Sequence, residues 1–132
     1  MADDQGRSGR GVLIARAPLA DRLRHILEAI ARIDSVTAGR DLAAYTADWV
    51  TRDVVERNLE RISEASRHIP SELKARHKGI RWRAVVGLGN VLRHDHPRVV
   101  NERVWKIVSD DLVPLRAAVE QMLRDLENKG KE

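Results

Sequence analysis

The chain has 132 residues, a length that fits one domain with a sizeable hydrophobic core. It contains no cysteine, which excludes a disulfide framework and a thiolate zinc site. Its apolar runs are only a few residues long and its N-terminus has no apolar signal segment, so the sequence predicts a soluble, cytoplasmic protein with no membrane partner.

Hydrophobic periodicity predicts one helical domain at 18–128, between a flexible tail at 1–17 and a flexible C-terminus at 129–132. The predicted helices run from Pro18 to near Gly39, from Leu42 or Ala47 to His68, from just after Gly79 to a break before Pro97, and from about Asn101 to Glu127 with an interruption at Asp110 and Asp111. Because the chain has no phenylalanine, the three tryptophans (49, 82 and 105) are expected to fill the core. No strand signal is present. The pattern favours an all-α fold, an antiparallel up-and-down bundle of four to five helices.

Positive charge is concentrated in the segment 67–103. The formal net charge of the chain is +4, whereas this segment alone holds nine Lys or Arg and three acidic residues, a balance of +6. Four of the five histidines also lie there. Such a field attracts phosphates, although the same pattern also fits a solvated basic face.

The end of the third predicted helix carries the densest group of chemically active side chains, GNVLRHDH (89–96). Its two histidines point too far apart around a helix to share a metal, and no acidic cluster completes a coordination sphere, so no metal site and no cofactor are predicted. General acid–base chemistry remains. Cleavage of RNA beside its 2′-hydroxyl needs proton transfer and a cation next to the phosphate. The residues of these types are His94, His96, Arg93 and Arg98. The same residue types also fit a solvated helix end.

Four stretches of the chain agree with one known family in order and spacing. They are LRHILEAIARI (23–33), VERNLERISEASRHI (55–69), IRWRAVVGLGNVLRHDH (80–96) and VWKIVSDDLVPLRAAVEQML (104–123). From about Leu19 to Leu126 the chain resembles the HepT-like branch of the HEPN superfamily, small all-helical bacterial proteins. The resemblance implies a HEPN-like bundle whose third helix ends in a signature: Arg-Asn, three residues, His, any residue, Tyr. In the family the Arg and His form the ribonuclease pair, and the site is assembled across a homodimer.

This chain departs from the signature at two of its four marked positions. Asn90 and His94 match the Asn and the His, whereas Gly89 replaces the Arg and His96 replaces the Tyr. Family members typically pair with a small nucleotidyltransferase, MntA, as a toxin–antitoxin couple in which AMP is transferred to the signature Tyr. The resemblance therefore implies three partners: RNA, a second copy of the chain in a homodimer or larger even oligomer, and an MntA-like nucleotidyltransferase antitoxin.

Two interpretations of the departures stay open. In the first, the protein is a metal-independent endoribonuclease toxin, with weakened activity, whose candidate catalytic residues are His94, His96 and Asn90. Arg93 or Arg98 would then replace the missing cation. Arg83 is a further candidate for contact with phosphate, although about 16 Å separates it from His94 along a straight helix. In the second interpretation, the chain is a catalytically inactive, dimeric binding partner of the nucleotidyltransferase.

Overall fold

The structure is a computed structural model that describes the backbone of residues 2–131 and the side chains of residues 17–129. The helices along this described backbone are α1 (Ala2–Thr37), α2 (Leu42–Ala47), α3 (Trp49–Arg67), α4 (Ser71–Ala75), α5 (Trp82–His94), α6 (Pro97–Lys106) and α7 (Leu112–Lys131), with a π-helical turn at Ile107–Asp111 between α6 and α7. The described part of the chain contains no strand. The all-α fold class predicted from the sequence is confirmed, with the short helices α2 and α4 lying in the connections.

The predicted domain bounds, 18 and 128, are not tested by the structure and stay predictions. Helix α1 begins at Ala2 and therefore continues through most of the segment predicted as a flexible tail, 1–17. The side chains of residues 1–16 lie outside the described residues, as do those of residues 130–132 within the predicted flexible C-terminus, 129–132.

The core lies between the long helices. Helix α3 packs against α1 on one side and against α5 on the other, and α7 packs against α1. Side chains at intervals of three or four residues from α1, α3 and α7 are completely or almost completely buried, and each contributes about 1.5–3 kcal/mol by leaving water. They are Leu23, Ile26, Ile30 and Ile33 of α1, Val55, Leu59 and Ile62 of α3, and Leu115, Val119 and Met122 of α7. None of the helices in the described residues has the length and apolar character that crossing a bilayer requires.

The predicted second helix is divided by Asp48. This residue has an extended backbone, and its carboxylate accepts hydrogen bonds from the N–H of Val50 at 3.1 Å and the hydroxyl of Thr51 at 2.8 Å. An aspartate that caps a helix in this way begins a new one, so α3 starts at Trp49. The expectation that all three tryptophans fill the core is wrong for Trp49, which is 66% exposed because it lies on the first turn of α3.

An ion pair with one buried partner joins the start of α5 to the π-helical turn. Asp111 is buried, and Arg81 donates to its carboxylate from Nε at 2.9 Å and from Nη2 at 2.5 Å. We expect Arg81→Ala to lower the free energy of unfolding measurably. The loss of Arg81 leaves a buried carboxylate unpaired, and the usual cost is reduced here because Arg81 is 47% exposed. Urea denaturation measures the change. Arg76→Ala, at an exposed position, is the control, and equal losses from the two variants would contradict this role for the ion pair.

Candidate functional site

Helix α5 ends within the segment 89–96. The N–H of Asp95 closes the helix by donating to the carbonyl of Val91 at 3.0 Å, and Pro97 is the first residue of α6. Proline cannot continue a helix and favours extended backbone at the residue before it. The chain therefore turns at residues 95–96, and the break predicted before Pro97 is confirmed.

The two histidines of this segment have different environments. His94 is the last residue of α5 and its side chain is exposed, with no hydrogen-bond partner among the side chains that the structure describes. His96 is exposed as well, but its Nδ1 accepts a hydrogen bond from the N–H of Arg98 at 3.2 Å and so caps α6. This bond requires an Nδ1 without a proton, which leaves the proton of a neutral His96 on Nε2. His96 thus has a structural role in addition to any chemical one.

Gly89 is buried where α5 packs against α3. Its N–H donates to the hydroxyl of Ser63 at 3.4 Å, and that hydroxyl donates to the carbonyl of Val86 at 2.6 Å. A Cβ atom at Gly89 would lie 3.3 Å from the Ser63 Oγ, which is tighter than ordinary van der Waals contact. The glycine therefore permits this helix contact and leaves a gap beside the helix.

The guanidinium of Arg93 occupies that gap. Its Nη1 and Nη2 lie 3.2 Å and 3.8 Å from the position that a Cβ at Gly89 would take. Long side chains of a helix lean back over the turn that precedes them, which explains why a residue four positions later reaches Gly89. A guanidinium thus lies beside the position from which the signature arginine would project, but it comes from the next turn of the same helix.

One cleft contains Gly89 and Arg93, whereas His94 and His96 are not among its lining residues. Gly89, Asn90 and Arg93 line a cleft of about 930 Å³ between α1, α3 and α5. Helix α1 contributes His25, Glu28, Ala29 and Arg32, and α3 contributes Arg57, Glu60, Arg61, Ser63, Glu64, Ala65 and Arg67. The five arginines outnumber the three glutamates, so the cleft carries a net positive charge before His25 is counted. Such a surface favours a negatively charged ligand.

The other two predicted phosphate contacts lie elsewhere. The side chain of Arg98 is 84% exposed and lies 3.6 Å from Glu102 of its own helix, so it does not fold back over Gly89. Arg83 lines a separate groove of about 270 Å³ between α5 and α6, together with Arg103 and Lys106. The structure therefore brings Arg93 together with Asn90, and places Arg83 and Arg98 apart from them.

Sequence reasoning missed the part of the cleft formed by α1 and α3. It located the positive charge at 67–103, whereas the arginines at 32, 57 and 61 line the same cleft as Arg93. Arg57 and Arg61 are four residues apart, which indicates one helix face. That spacing does not show which helix lies opposite, and only the packing of α5 on α3 supplies this information.

The single tyrosine of the chain is not accessible. Tyr45 is completely buried, with its ring 5.3 Å from that of Trp105 between centroids. Burial, with a further contribution from the nearby carboxylate of Glu56, raises the pKa of the Tyr45 hydroxyl well above its ordinary value. A second enzyme therefore has no exposed phenol to modify on the side chains that the structure describes.

Comparison with known proteins identifies one family. The family model described as “Ribonuclease HepT-like” matches residues 26–122. A protein of Thermococcus cleftensis named “Probable ribonuclease HepT” is 33% identical over 102 residues, which cover 77% of this chain and 93% of that protein. A protein of Methanocaldococcus jannaschii named a “putative RNase” is 32% identical over 98 residues, which cover 74% of this chain and 90% of that protein. No solved structure matches. The family model covers most of the chain and agrees with the resemblance seen in the sequence, and we conclude that the chain belongs to the HepT-like ribonuclease family.

Proposed function

We propose that this protein is a metal-independent endoribonuclease in which Arg93 provides the cation that the signature arginine provides in the family. The observation that carries the proposal is the position of the Arg93 guanidinium beside Gly89, in the same cleft as Asn90. Membership of a ribonuclease family supports the reaction class. Asn90 provides an amide that can bind RNA next to this cation.

The residues at the helix end fit RNA cleavage by transesterification. His94 accepts the proton of the 2′-hydroxyl as the 2′ oxygen attacks phosphorus, and a 2′,3′-cyclic phosphate forms as the bond from phosphorus to the 5′ oxygen breaks. Arg93 stabilises the negative charge that develops on the non-bridging oxygens. His96 in its protonated, imidazolium form donates a proton to the departing 5′ oxygen and returns to the neutral imidazole, the form whose Nδ1 can cap α6. No metal ion is required in this sequence of steps.

The test of this proposal is cleavage of a labelled single-stranded RNA by the purified protein in EDTA. We expect products that end in a cyclic phosphate, and no cleavage of the matching strand that lacks 2′-hydroxyls. Intact RNA in EDTA would contradict the proposal.

The replacement of Arg by Gly89 and of Tyr by His96 favours the second candidate function, a catalytically inactive dimeric partner of a nucleotidyltransferase. Intact RNA together with binding to that enzyme would support the second candidate.

The proposal extends to a cytoplasmic toxin–antitoxin pair, with an MntA-like nucleotidyltransferase as the antitoxin. Its support is the family resemblance and the helix end that remains exposed for a partner. Expression of the chain alone should arrest growth, and coexpression of an MntA-like nucleotidyltransferase should relieve the arrest. Unchanged growth under strong expression would contradict the toxin role.

We further expect a homodimer, or a larger even oligomer, in which the 89–96 segments of two chains face each other. The reason is that His94 is exposed and points about 100° away from Arg93 around the helix, so that a second copy could supply the complementary group. Light scattering coupled to size-exclusion chromatography measures the mass in solution. A strict monomer at micromolar concentration would contradict this arrangement.

The wild-type chain should resist AMP transfer to tyrosine, and His96→Tyr should permit it. The wild type has its only phenol in the core, whereas position 96 is exposed at the turn between α5 and α6. The substitution removes the cap of α6 and should lower the free energy of unfolding by about 1 kcal/mol. Intact mass spectrometry after incubation with ATP and the nucleotidyltransferase detects the added AMP. Tyr45→Phe/His96→Tyr is the control, because modification must persist in it if position 96 is the acceptor.

A further inference from the structure

The cleft between α1, α3 and α5 extends well beyond the signature residues, and most of its charges neutralise one another. Each of its three glutamates forms an ion pair with an arginine of its own helix. The pairs are Glu28 with Arg32, Glu60 with Arg57 at 3.5 Å, and Glu64 with Arg67 at 3.5 Å. Because the charges within each pair largely cancel, these pairs contribute little to the electrostatic attraction of an anionic ligand.

Two arginines of the cleft differ from the others. Among the side chains that the structure describes, no carboxylate oxygen lies within 4.0 Å of Arg61 or Arg93. Both side chains belong to exposed residues, so their guanidinium groups can bind an anion without first breaking an ion pair. The net positive charge of the cleft therefore comes from these two positions.

The two arginines lie on opposite sides of α3. Ser63 faces α5, because its hydroxyl bonds to Val86 and Gly89. Arg61 precedes Ser63 by two residues and therefore points about 200° away around the helix, toward α1. Ala65, one turn after Arg61, lines the cleft together with Ala29 of α1, in agreement with this direction. The cleft thus has one unpaired cation near each wall and the ion pairs of α3 between them.

This arrangement fits a strand with regularly repeated negative charges better than a single small anion. The volume of about 930 Å³ is near the upper end of the range of about 300–1,000 Å³ for small-ligand sites, which leaves room for nucleosides between the two cations. Arginine binds phosphate through a rigid fork of N–H donors. His25 of α1 also lines the cleft, and its ring is a surface on which an unpaired base can stack.

We propose that the cleft binds a single strand of RNA across α3, with one phosphate at Arg93 and another phosphate of the same strand at Arg61. The assignment of the phosphate at Arg93 as the one that is cleaved depends on the proposed function. Arg61 is then a substrate-binding residue that does not contact the reacting phosphate. No part of the signature motif marks this position.

Fluorescence anisotropy with a fully 2′-O-methylated single strand tests binding without cleavage. We expect Arg61→Gln to raise Kd about tenfold, as the loss of a charged hydrogen bond would, and to reduce the slope of log Kd against log salt by about 0.7. Arg76→Gln is the matched control, because Arg76 is exposed, lies outside the cleft and has no carboxylate within 4.0 Å among the described side chains. This control removes the same charge and should change Kd less than about twofold.

Kinetics with a cleavable strand separates the two arginines. Arg61→Gln should raise KM about tenfold and leave kcat within about twofold of wild type, because the phosphate that Arg61 binds is not the reacting one.

Equal Kd values for Arg61→Gln and Arg76→Gln would overturn the inference. So would a wild-type chain that binds no strand, or an Arg61→Gln variant whose only change is its oligomeric mass, which would identify the cleft as a contact between protein chains. If the wild type binds the strand through Arg61 but never cleaves RNA, the proposed function is refuted, whereas the inferred binding site is still supported.

Discussion

Replacing Arg93 with alanine should slow RNA cleavage by about a hundredfold to a thousandfold, the usual cost of removing one group that stabilises transition-state charge. The guanidinium of Arg93 lies beside Gly89, the residue that occupies the position of the family's signature arginine. Arg98, which the sequence offered as the alternative, is exposed and lies near Glu102. Arg98→Ala should therefore slow cleavage by less than about threefold, as expected for a cation that contributes only to the general field. Single-turnover rates, with the protein in saturating excess over labelled RNA, measure both effects on the chemical step.

His94→Ala should slow RNA cleavage by about a hundredfold to ten-thousandfold, the usual cost of removing a general acid or base. Arg93 and His94 are both exposed, so neither substitution should change the free energy of unfolding by more than about 0.5 kcal/mol. Loss of cleavage with an unchanged unfolding transition would then be a direct chemical effect. A large loss in Arg98→Ala, with none in Arg93→Ala, would show that the replacement cation has been assigned to the wrong residue.

The helix end was predictable from the sequence, whereas the source of the cation was not. Pro97 determines where α5 must stop, and the structure has the break where the sequence predicted it. The direction of the Arg93 side chain depends on the gap at Gly89, and the contact with Ser63 of α3 sets the depth of that gap. Residues that meet across two helices share no local sequence pattern. The sequence therefore left Arg93 and Arg98 as alternative replacement cations, with Arg83 as a more distant candidate for contact with phosphate.

The same limit applies to boundaries within the bundle. The second predicted helix ends near His68, as expected, but Asp48 ends one helix and caps the next. Hydrophobic periodicity alone does not reveal this division. The π-helical turn at Ile107–Asp111 lies where the pair Asp110 and Asp111 had indicated an interruption. Its pairing with Arg81, thirty residues earlier, is a tertiary contact that the sequence does not indicate.

Moving the cation back to its family position should restore activity that Arg93→Ala has lost. In Gly89→Arg alone, the new Cβ would lie 3.2 Å from an Arg93 nitrogen and 3.3 Å from the Ser63 Oγ, so the variant is crowded and should lose about 1–3 kcal/mol of stability. Arg93→Ala removes the first of these contacts, and Ser63 then needs to move only a few tenths of an ångström. We expect Gly89→Arg/Arg93→Ala to cleave RNA at least about tenfold faster than Arg93→Ala, because it returns a guanidinium to the same side of the cleft.

The most direct test that Arg93 replaces the signature arginine is the single-turnover cleavage rate of Gly89→Arg/Arg93→Ala compared with that of Gly89→Ala/Arg93→Ala. Both variants introduce a Cβ atom beside Ser63 and remove the arginine at position 93, so they differ only in the relocated side chain. Addition of His94→Ala to the faster variant should abolish the gain. The predicted result is a recovery of at least about tenfold in the arginine variant alone. Equal rates in the two double variants, with wild-type activity intact, would contradict the claim that a cation beside position 89 drives the reaction.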